Sequence, residues 1–161
     1  MERLGTERIP GIEVELPDLN DFEMPIYTTD RERASGIPDD AQRFFKHIGD
    51  ADALLISYAE HNGFYTAAFK NIFDWASRID AKVFQGKPQL VLSTSPGGGG
   101  GASVLKTALD SAQWYGADVV SSLAVPRFGD NFDTESGALT DPDLGEQLGR
   151  ALQRLSDRLA T

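Results

Sequence analysis

Apolar residues fall along this chain in two alternating rhythms. Ala53 to Ser57 and Leu90 to Ser93 are short apolar runs without polar alternation, the pattern of parallel strands covered on both faces. Gly11 to Pro17 instead alternates Ile12, Val14 and Leu16 with Glu13 and Glu15, which predicts a strand near a sheet edge, wet on one side. Val119 to Val125 predicts another strand, entered through the turn Gly116-Ala117-Asp118. Between the strands the spacing turns helical. A helix opened by Gly36-Ile37-Pro38 is predicted to about Ile48, with Phe44, Phe45 and Ile48 inward and Gly49 as its stop. In the next, opened by Gly63, residues Phe64, Ala68, Ile72, Trp75 and Ile79 share one stripe at ~100° per residue. Phe69, Phe73 and Ala76 lie beside that stripe and widen it. One core contact needs only ~100° of apolar surface, so the surplus predicts a second partner for this helix, such as another subunit.

A third helix is predicted from Ser103, as its N-cap, to Tyr115, with Val104, Leu105, Ala108, Leu109 and Ala112 inward. A last one is capped by Asp141 with Pro142 at its first position, and repeats Leu144, Leu148, Leu152, Leu155 and Leu159. Met1 to Pro10 reads as the tail of a helix and a stop, and Asp18 to Ser35 as a long polar loop whose Phe22, Met24, Ile26 and Tyr27 cover the domain or a neighbour. Gln85-Gly86-Lys87-Pro88 is a turn, and Pro126 to Asp133 a further loop. Strands alternating with helices predict a single α/β domain over residues 1–161. Its architecture is a doubly wound parallel sheet in three α/β/α layers, with the loops after the strands on one edge. That edge is where open α/β sheets bind ligands.

Composition narrows the possible partners. The net charge of −10 is spread along the chain and argues against nucleic acids and anionic membranes as partners. Its simplest meaning is a solvated acidic surface. The absence of cysteine excludes disulfides, thiolate metal ligands and a cysteine nucleophile. The two histidines, His47 and His61, have no metal-ligand spacing. No apolar stretch reaches the ~18 residues of a membrane span, and Met1 to Arg8 is too polar for a signal peptide. The expectation is a cytoplasmic protein.

Two strand-end turns carry the candidate chemistry. The five consecutive glycines from Gly97 to Gly101 let backbone approach a flat ligand closely and aim N–H groups at acceptors. They also precede a helix N-terminus, which favours anions. A flexible connector is the alternative reading of the same residues. The run lacks the Gly-Lys-Ser/Thr ending of a Walker A loop and the downstream acid of a dinucleotide fingerprint. In the other turn, Tyr58-Ala59-Glu60-His61-Asn62, Glu60 and His61 suit general acid–base work, while Asn62 equally suits the N-cap of the next helix. Ser57, Ser93, Ser95 and Ser103 lie near strand ends, yet no Gly-x-Ser-x-Gly elbow exists. A hydrolase built on Glu60 and His61 therefore lacks a nucleophile. Trp75, Phe69 and Phe73 read as packing groups. A pocket with a glycine wall, a few polar groups and no nucleophile suits a cofactor that brings its own reactivity.

At these residues the chain resembles the NADPH-dependent FMN reductase family, whose fold is flavodoxin-like. That family's turn reads Pro-Glu-Tyr-Asn-Gly, ahead of a helix with Leu-Lys-Asn and Asp-Trp. The matching residues here are Ala59-Glu60-His61-Asn62-Gly63, Phe69-Lys70-Asn71, Asp74-Trp75 and Ser77-Arg78. Gly86-Lys87-Pro88, Ser95-Pro96-Gly97, Asp18-Leu19 and Pro25-Ile26-Tyr27 match as well. The resemblance covers about Val14 to Phe132. It implies an FMN site lined by Ala59, Glu60, His61, Asn62 and Gly63 together with Ser95, Pro96, Gly97 and Gly98. It also implies NADPH or NADH as co-substrate, a small acceptor such as a flavin or quinone, and a homodimer or homotetramer. The flavin N5 carries the chemistry, so the resemblance implies no protein acid, base or metal. Ala59 and His61 stand where the family has proline and tyrosine, which removes a stacking and hydroxyl group that histidine can partly replace. The family's opening strand and its Gly-Ser-x-x-x-x-Ser phosphate loop are not found ahead of Gly11. The expected strand order 2-1-3-4-5 then lacks its central member. The competing expectation is a degenerate, non-catalytic flavodoxin-like module that binds FMN weakly or not at all.

Overall fold

The computed structural model describes Ile9 and residues 11–161. The expected helix tail over Met1 to Pro10 falls, apart from Ile9, outside the described residues. A 3-10 turn (Leu19–Phe22) and the helices α1 (Thr29–Ser35) and α2 (Asp39–Asp50) lead to strand β1 (Leu54–Ala59). Then come α3 (Ala67–Ala76), β2 (Pro88–Thr94) and α4 (Ala102–Ser111), the last extended by a 3-10 turn (Ala112–Tyr115). Strand β3 (Asp118–Val125) is followed by the single turn α5 (Phe128–Asn131), the short strands β4 (Phe132–Asp133) and β5 (Ala138–Leu139), and α6 (Pro142–Leu159).

The sheet is parallel, in the order β1-β2-β3, and Thr94 at the end of β2 stands beside both Ala59 and Val125. The middle strand is buried from Gln89 to Ser93, which explains its unbroken apolar run. Its side chains alternate between two cores. Leu90 and Leu92 join Leu148, Leu152 and Leu155 of α6. Val91 joins Val104, Leu105 and Ala108 of α4. Helices therefore cover both faces in three layers, as the strand–helix alternation predicts. At the start of α6, Asp141 Oδ1 accepts from the N–H groups of Asp143 (2.8 Å) and Leu144 (3.2 Å). The leucine stripe is buried from Leu144 to Leu155, and only Leu159 in the last turn is exposed.

Several local expectations fail for physical reasons. Gly11 to Pro17 forms no strand. Its alternation is met by an unpaired extended segment in which Ile12 packs against the α6-side core, while Leu16 remains 67% exposed. Strand β1 is an edge among the described strands, so only Tyr58 in it is buried. The supposed loop from Asp18 to Ser35 contains the 3-10 turn and α1, whose first turn is capped by the Thr28 hydroxyl. Gly49 does not stop α2, which continues through Asp50. A Cβ at Gly49 would lie 2.8 Å from Gln85 Oε1, so glycine there makes room for a cap. The Gln85 amide donates to the carbonyl of Phe45 (2.8 Å), and Lys87 Nζ to that of Gly49 (2.8 Å). Helix α4 begins one residue before Ser103, with Gly101 at the cap position. Part of the surplus apolar surface of α3 is used within the chain. Phe73 is buried against Phe84 and Tyr115, and Phe69 lies against Tyr58 and Tyr65.

Trp75 fixes the segment ahead of α1 to α3. Its indole N–H donates to the Pro25 carbonyl at 2.7 Å, and Tyr27 meets its ring edge-on at 5.0 Å. The Asn71 amide accepts from Tyr27 N–H (2.9 Å) and donates to Met24 O (3.1 Å). Trp75→Phe preserves most of the ring volume but leaves the Pro25 carbonyl only the longer bond from Asn71 Nδ2, at 3.4 Å. We expect a loss of about 1–3 kcal/mol, read as a lower urea midpoint at unchanged slope. An unchanged midpoint would show that this bond does not anchor the segment.

Candidate functional site

The parallel register brings three strand-end loops to one edge of the sheet. The turn after β1, the glycine loop after β2 and the loop after β3 leave from Ala59, Thr94 and Val125, which are direct neighbours. The first of these does not lead straight into a helix. His61 and Phe64 exchange two backbone bonds, of 3.0 and 3.1 Å, around Asn62 (φ 53°) and Gly63 (φ 76°). Two left-handed central residues make this a tight primed turn, the conformation for which Asn-Gly is the preferred pair. Asn62 is thus not an N-cap. Helix α3 starts at Ala67, and the Thr66 hydroxyl caps it by accepting from Phe69 N–H. Below the turn, Tyr58 packs against Tyr65 and Phe69. Burial holds its hydroxyl far above the usual phenol range, so it stays neutral. Tyr65 is also raised, chiefly by burial.

Glu60 links the first loop to the second. Its Oε2 accepts from Val104 N–H, at 3.0 Å, in the first turn of α4. The cap residue of α4 is Gly101, which has no side chain to offer. Glu60 therefore does from a neighbouring loop what an N-cap side chain does locally, and it places a negative charge at the positive end of the helix. Ser95 adds a second support, its hydroxyl accepting from Gly101 N–H at 3.1 Å. His61, Asn62 and Gly63 remain exposed on the rim, as do Ala59, Pro96, Gly97 and Gly98.

The five glycines divide into two groups. Gly100 and Gly101 have positive φ, and a Cβ on either would press into the chain. It would come 2.8 Å from Pro126 N at Gly100 and 3.0 Å from Ser93 Cβ at Gly101. Gly98 and Gly99 have neither constraint: φ is not in the left-handed range, and a Cβ would meet nothing within 4 Å. At Gly97 it would meet only Ser95 Oγ, at 3.9 Å. Internal packing explains the second pair of glycines and leaves the first three unexplained. The carbonyls of Gly97, Gly99, Gly100 and Gly101 all accept hydrogen bonds from the chain, whereas the N–H groups of Gly97, Gly98 and Gly99 have no such acceptor among the described residues. The result is an exposed stretch whose N–H groups are unpaired among the described residues and where an added Cβ would meet at most Ser95 Oγ. That stretch fits a flat, acceptor-rich ring such as a flavin.

The third wall went unrecognised as part of the site in the sequence. Arg127 N–H donates to Gly97 O (3.0 Å) and Phe128 N–H to Ser95 O (3.1 Å), so the loop after β3 rests on the glycine loop. The signal for it was available: a polar loop at the carboxyl end of a parallel strand adjacent to the glycine run. Among the described residues, no three acidic or histidine side chains are grouped to hold a metal ion, and no helix is long and apolar enough to cross a membrane.

The clamp between loops makes a direct expectation. Glu60→Ala leaves Val104 N–H unpaired and uncaps α4, at a cost of about 0.5–2 kcal/mol. Amide hydrogen exchange at Val104 and through the glycine loop should accelerate, and Glu60→Gln, which keeps an acceptor, should restore most of the protection. Unchanged exchange in the alanine variant would show that the two loops are positioned independently.

Comparison with known proteins places the chain in a family. The family profile described as NADPH-dependent FMN reductase matches residues 1–130. An NAD(P)H-dependent FMN reductase of Pseudomonas aeruginosa is 40% identical over 88 residues, which are 55% of this chain and 46% of that protein. An NADPH:quinone oxidoreductase of Arabidopsis thaliana is 36% identical over 100 residues, 62% of this chain and 50% of that protein. The chain thus spans about half the length of the curated relatives it matches. Among solved structures, the flavoenzyme NAD(P)H:(acceptor) oxidoreductase FerB of Paracoccus denitrificans superposes with a TM-score of 0.76 at 23% identity, over 99% of this chain and 88% of that one. That likeness shows a common flavodoxin-like fold. With a profile match that runs through both strand-end turns and into the loop after β3, the chain belongs to the NADPH-dependent FMN reductase family.

Proposed function

We propose that this chain binds FMN against the glycine loop and acts as an NAD(P)H-dependent oxidoreductase on a small acceptor, a quinone or a second flavin. The observation that carries this reading is the bare stretch Gly97 to Gly99, where neither φ nor packing calls for glycine. A planar ligand does call for it, because a side chain would hold the ring off the backbone. When bound, the flavin supplies the redox chemistry, taking a hydride from the reduced nicotinamide and returning two electrons, with protons from water, to the acceptor.

The chain's own residues position and shield. The free N–H groups of Gly97 to Gly99 donate to acceptors on the ring. Asn62 offers its amide from the primed turn, and the exposed His61 stacks or donates at the rim in place of a tyrosine. Ala59, Gly63, Ser95, Pro96 and Gly98 complete the wall. Glu60 is a positioning residue, since its carboxylate is engaged at α4. The printed names of the relatives, an FMN reductase and quinone oxidoreductases, support this substrate class. A cytoplasmic setting, where reduced nicotinamide nucleotides are abundant, is part of the same proposal.

A homodimer or homotetramer is also proposed, through α3 but with different contacts from those the apolar stripe predicts. Phe73 is spent internally. What stays open is a groove of about 180 Å³ between α3 and α4, lined by Tyr65, Phe69 and Tyr115 and edged by Phe64, which is 45% exposed. At its floor Gln89 is 1% exposed and its amide nitrogen has no partner among the described residues. Light scattering should give a multiple of the 17.5 kDa chain mass, lowered by Phe64→Asp. A monomeric parent chain would end this part of the proposal.

The flavin reading is tested by titrating FMN against the purified chain and following its fluorescence. Quenching is expected, and Gly98→Val should weaken it at least tenfold without changing the melting temperature, because the new side chain meets only the ligand space. Asn62→Gly keeps the left-handed backbone and removes the amide, and should weaken binding more modestly. Absence of quenching in the parent chain would leave the non-catalytic module as the better account. Full binding in Gly98→Val would remove the glycine wall from the site.

A further inference from the structure

We propose that Arg127 reads the 2′-phosphate of the nicotinamide nucleotide and makes this chain prefer NADPH to NADH. The inference rests on the proposed flavin activity and extends it to a residue outside the expected site. Arg127 follows β3 directly and adopts the left-handed backbone, with φ 45° and ψ 58°. A non-glycine residue rarely holds that conformation unless its surroundings impose it, and such residues gather at binding sites. Here the conformation directs two successive N–H groups, of Arg127 and Phe128, onto the glycine loop. The loop is tied to itself beyond them. Asn131 Nδ2 donates to the Pro126 carbonyl at 2.8 Å, and the rings of Phe128 and Phe132 stack at 4.8 Å and 19°. The arginine therefore stands on a fixed base at the rim of the flavin space, on the side opposite the Asn62 turn.

Its charge is uncommitted. Arg33, Arg43, Arg78, Arg150 and Arg158 each pair with a carboxylate, and Arg154, unpaired among the described residues, lies on α6, away from the strand-end loops. The Arg127 side chain is exposed and makes no hydrogen bond or ion pair among the described residues. Some nearby acids are engaged elsewhere. Asp133 accepts from Glu135 N–H and from the backbone and hydroxyl of Ser136, which hold its carboxyl below the usual range, and Asp141 caps α6. Asp130 and Glu135 are the acids of this segment whose carboxylates have no partner among the described residues. In a chain of net charge −10, a polyanionic nucleotide is repelled at long range, so a local cation decides which one binds. A guanidinium grips a phosphate through two parallel N–H bonds. A phosphate monoester, with a charge of about −1.5 to −2 near neutral pH, gains more from it than any single group of the pyrophosphate. NADPH carries that monoester and NADH does not.

The test uses the full chain, with and without added FMN. Arg127→Asn removes the charge and keeps a residue that accepts the left-handed backbone, and Arg127→Lys restores charge without the fork. The parent is expected to show a higher kcat/KM for NADPH than for NADH. In Arg127→Asn that preference should fall about tenfold through KM, the loss of one charge-assisted contact, with NADH kinetics unchanged. Arg127→Lys should recover part of it. Calorimetry gives an independent readout: adenosine 2′,5′-bisphosphate should bind the parent more tightly than 5′-AMP, and the difference should vanish in Arg127→Asn. Equal losses with both nucleotides, or no change with either, would overturn the assignment. A parent that oxidises neither nucleotide counts against the flavin activity, and the bisphosphate titration then decides Arg127 by itself.

Discussion

Everything at the site depends on the two hydrogen-bonded ladders of β2. Because it is central and parallel to both neighbours, its last residue, Thr94, stands level with Ala59 and Val125. Three loops from distant parts of the chain then begin within a strand spacing of each other, about 4.8 Å on either side. Burial of Leu90, Val91 and Leu92 against helices on both faces holds that alignment, since a slip of one residue would exchange the two cores. The Thr94 hydroxyl reinforces it at the last position by donating to Val125 O at 2.9 Å.

Polar groups at this edge are allotted sparingly. Glu60, which the sequence places in a strand-end turn, is bound to the start of α4. The helix end therefore has its anion from within the chain, and the ligand is left with neutral backbone donors. Such a surface recognises shape and acceptors more than charge, which agrees with a ring that does its own chemistry. The charged contact proposed for the nucleotide falls to Arg127, on the loop after β3.

Much of the fold was legible because single side chains carried local physics. Asp141 with Pro142 marked the start of α6 to the residue, and the uninterrupted run at Leu90 marked a strand covered on both faces. The failures came where a pattern has two physical solutions. The alternation from Ile12 to Leu16 satisfies either a paired strand or a lone extended segment, and only a neighbouring edge decides between them. Gly49 satisfies either a helix stop or a close contact, and the contact is with Gln85, 36 positions away in the sequence. Asn62 fits both a helix cap and a primed turn, and the backbone exchange between His61 and Phe64 selects the turn. At the candidate site the glycine run was conspicuous, but its division into packed and bare glycines depends on Pro126 and Ser93, which only the folded chain brings near.

The tethering of the glycine loop bears on how quickly a ligand can be captured. Flexible glycine stretches ordinarily lose much conformational entropy when they close on a guest. In this loop the carbonyls of Ser95, Gly97, Gly99, Gly100 and Gly101 are already engaged by the protein. The ordering cost is met as the domain folds. A ring arriving at the sheet edge encounters a surface already in its final shape, so association approaches rigid docking and affinity is governed by how slowly the guest departs.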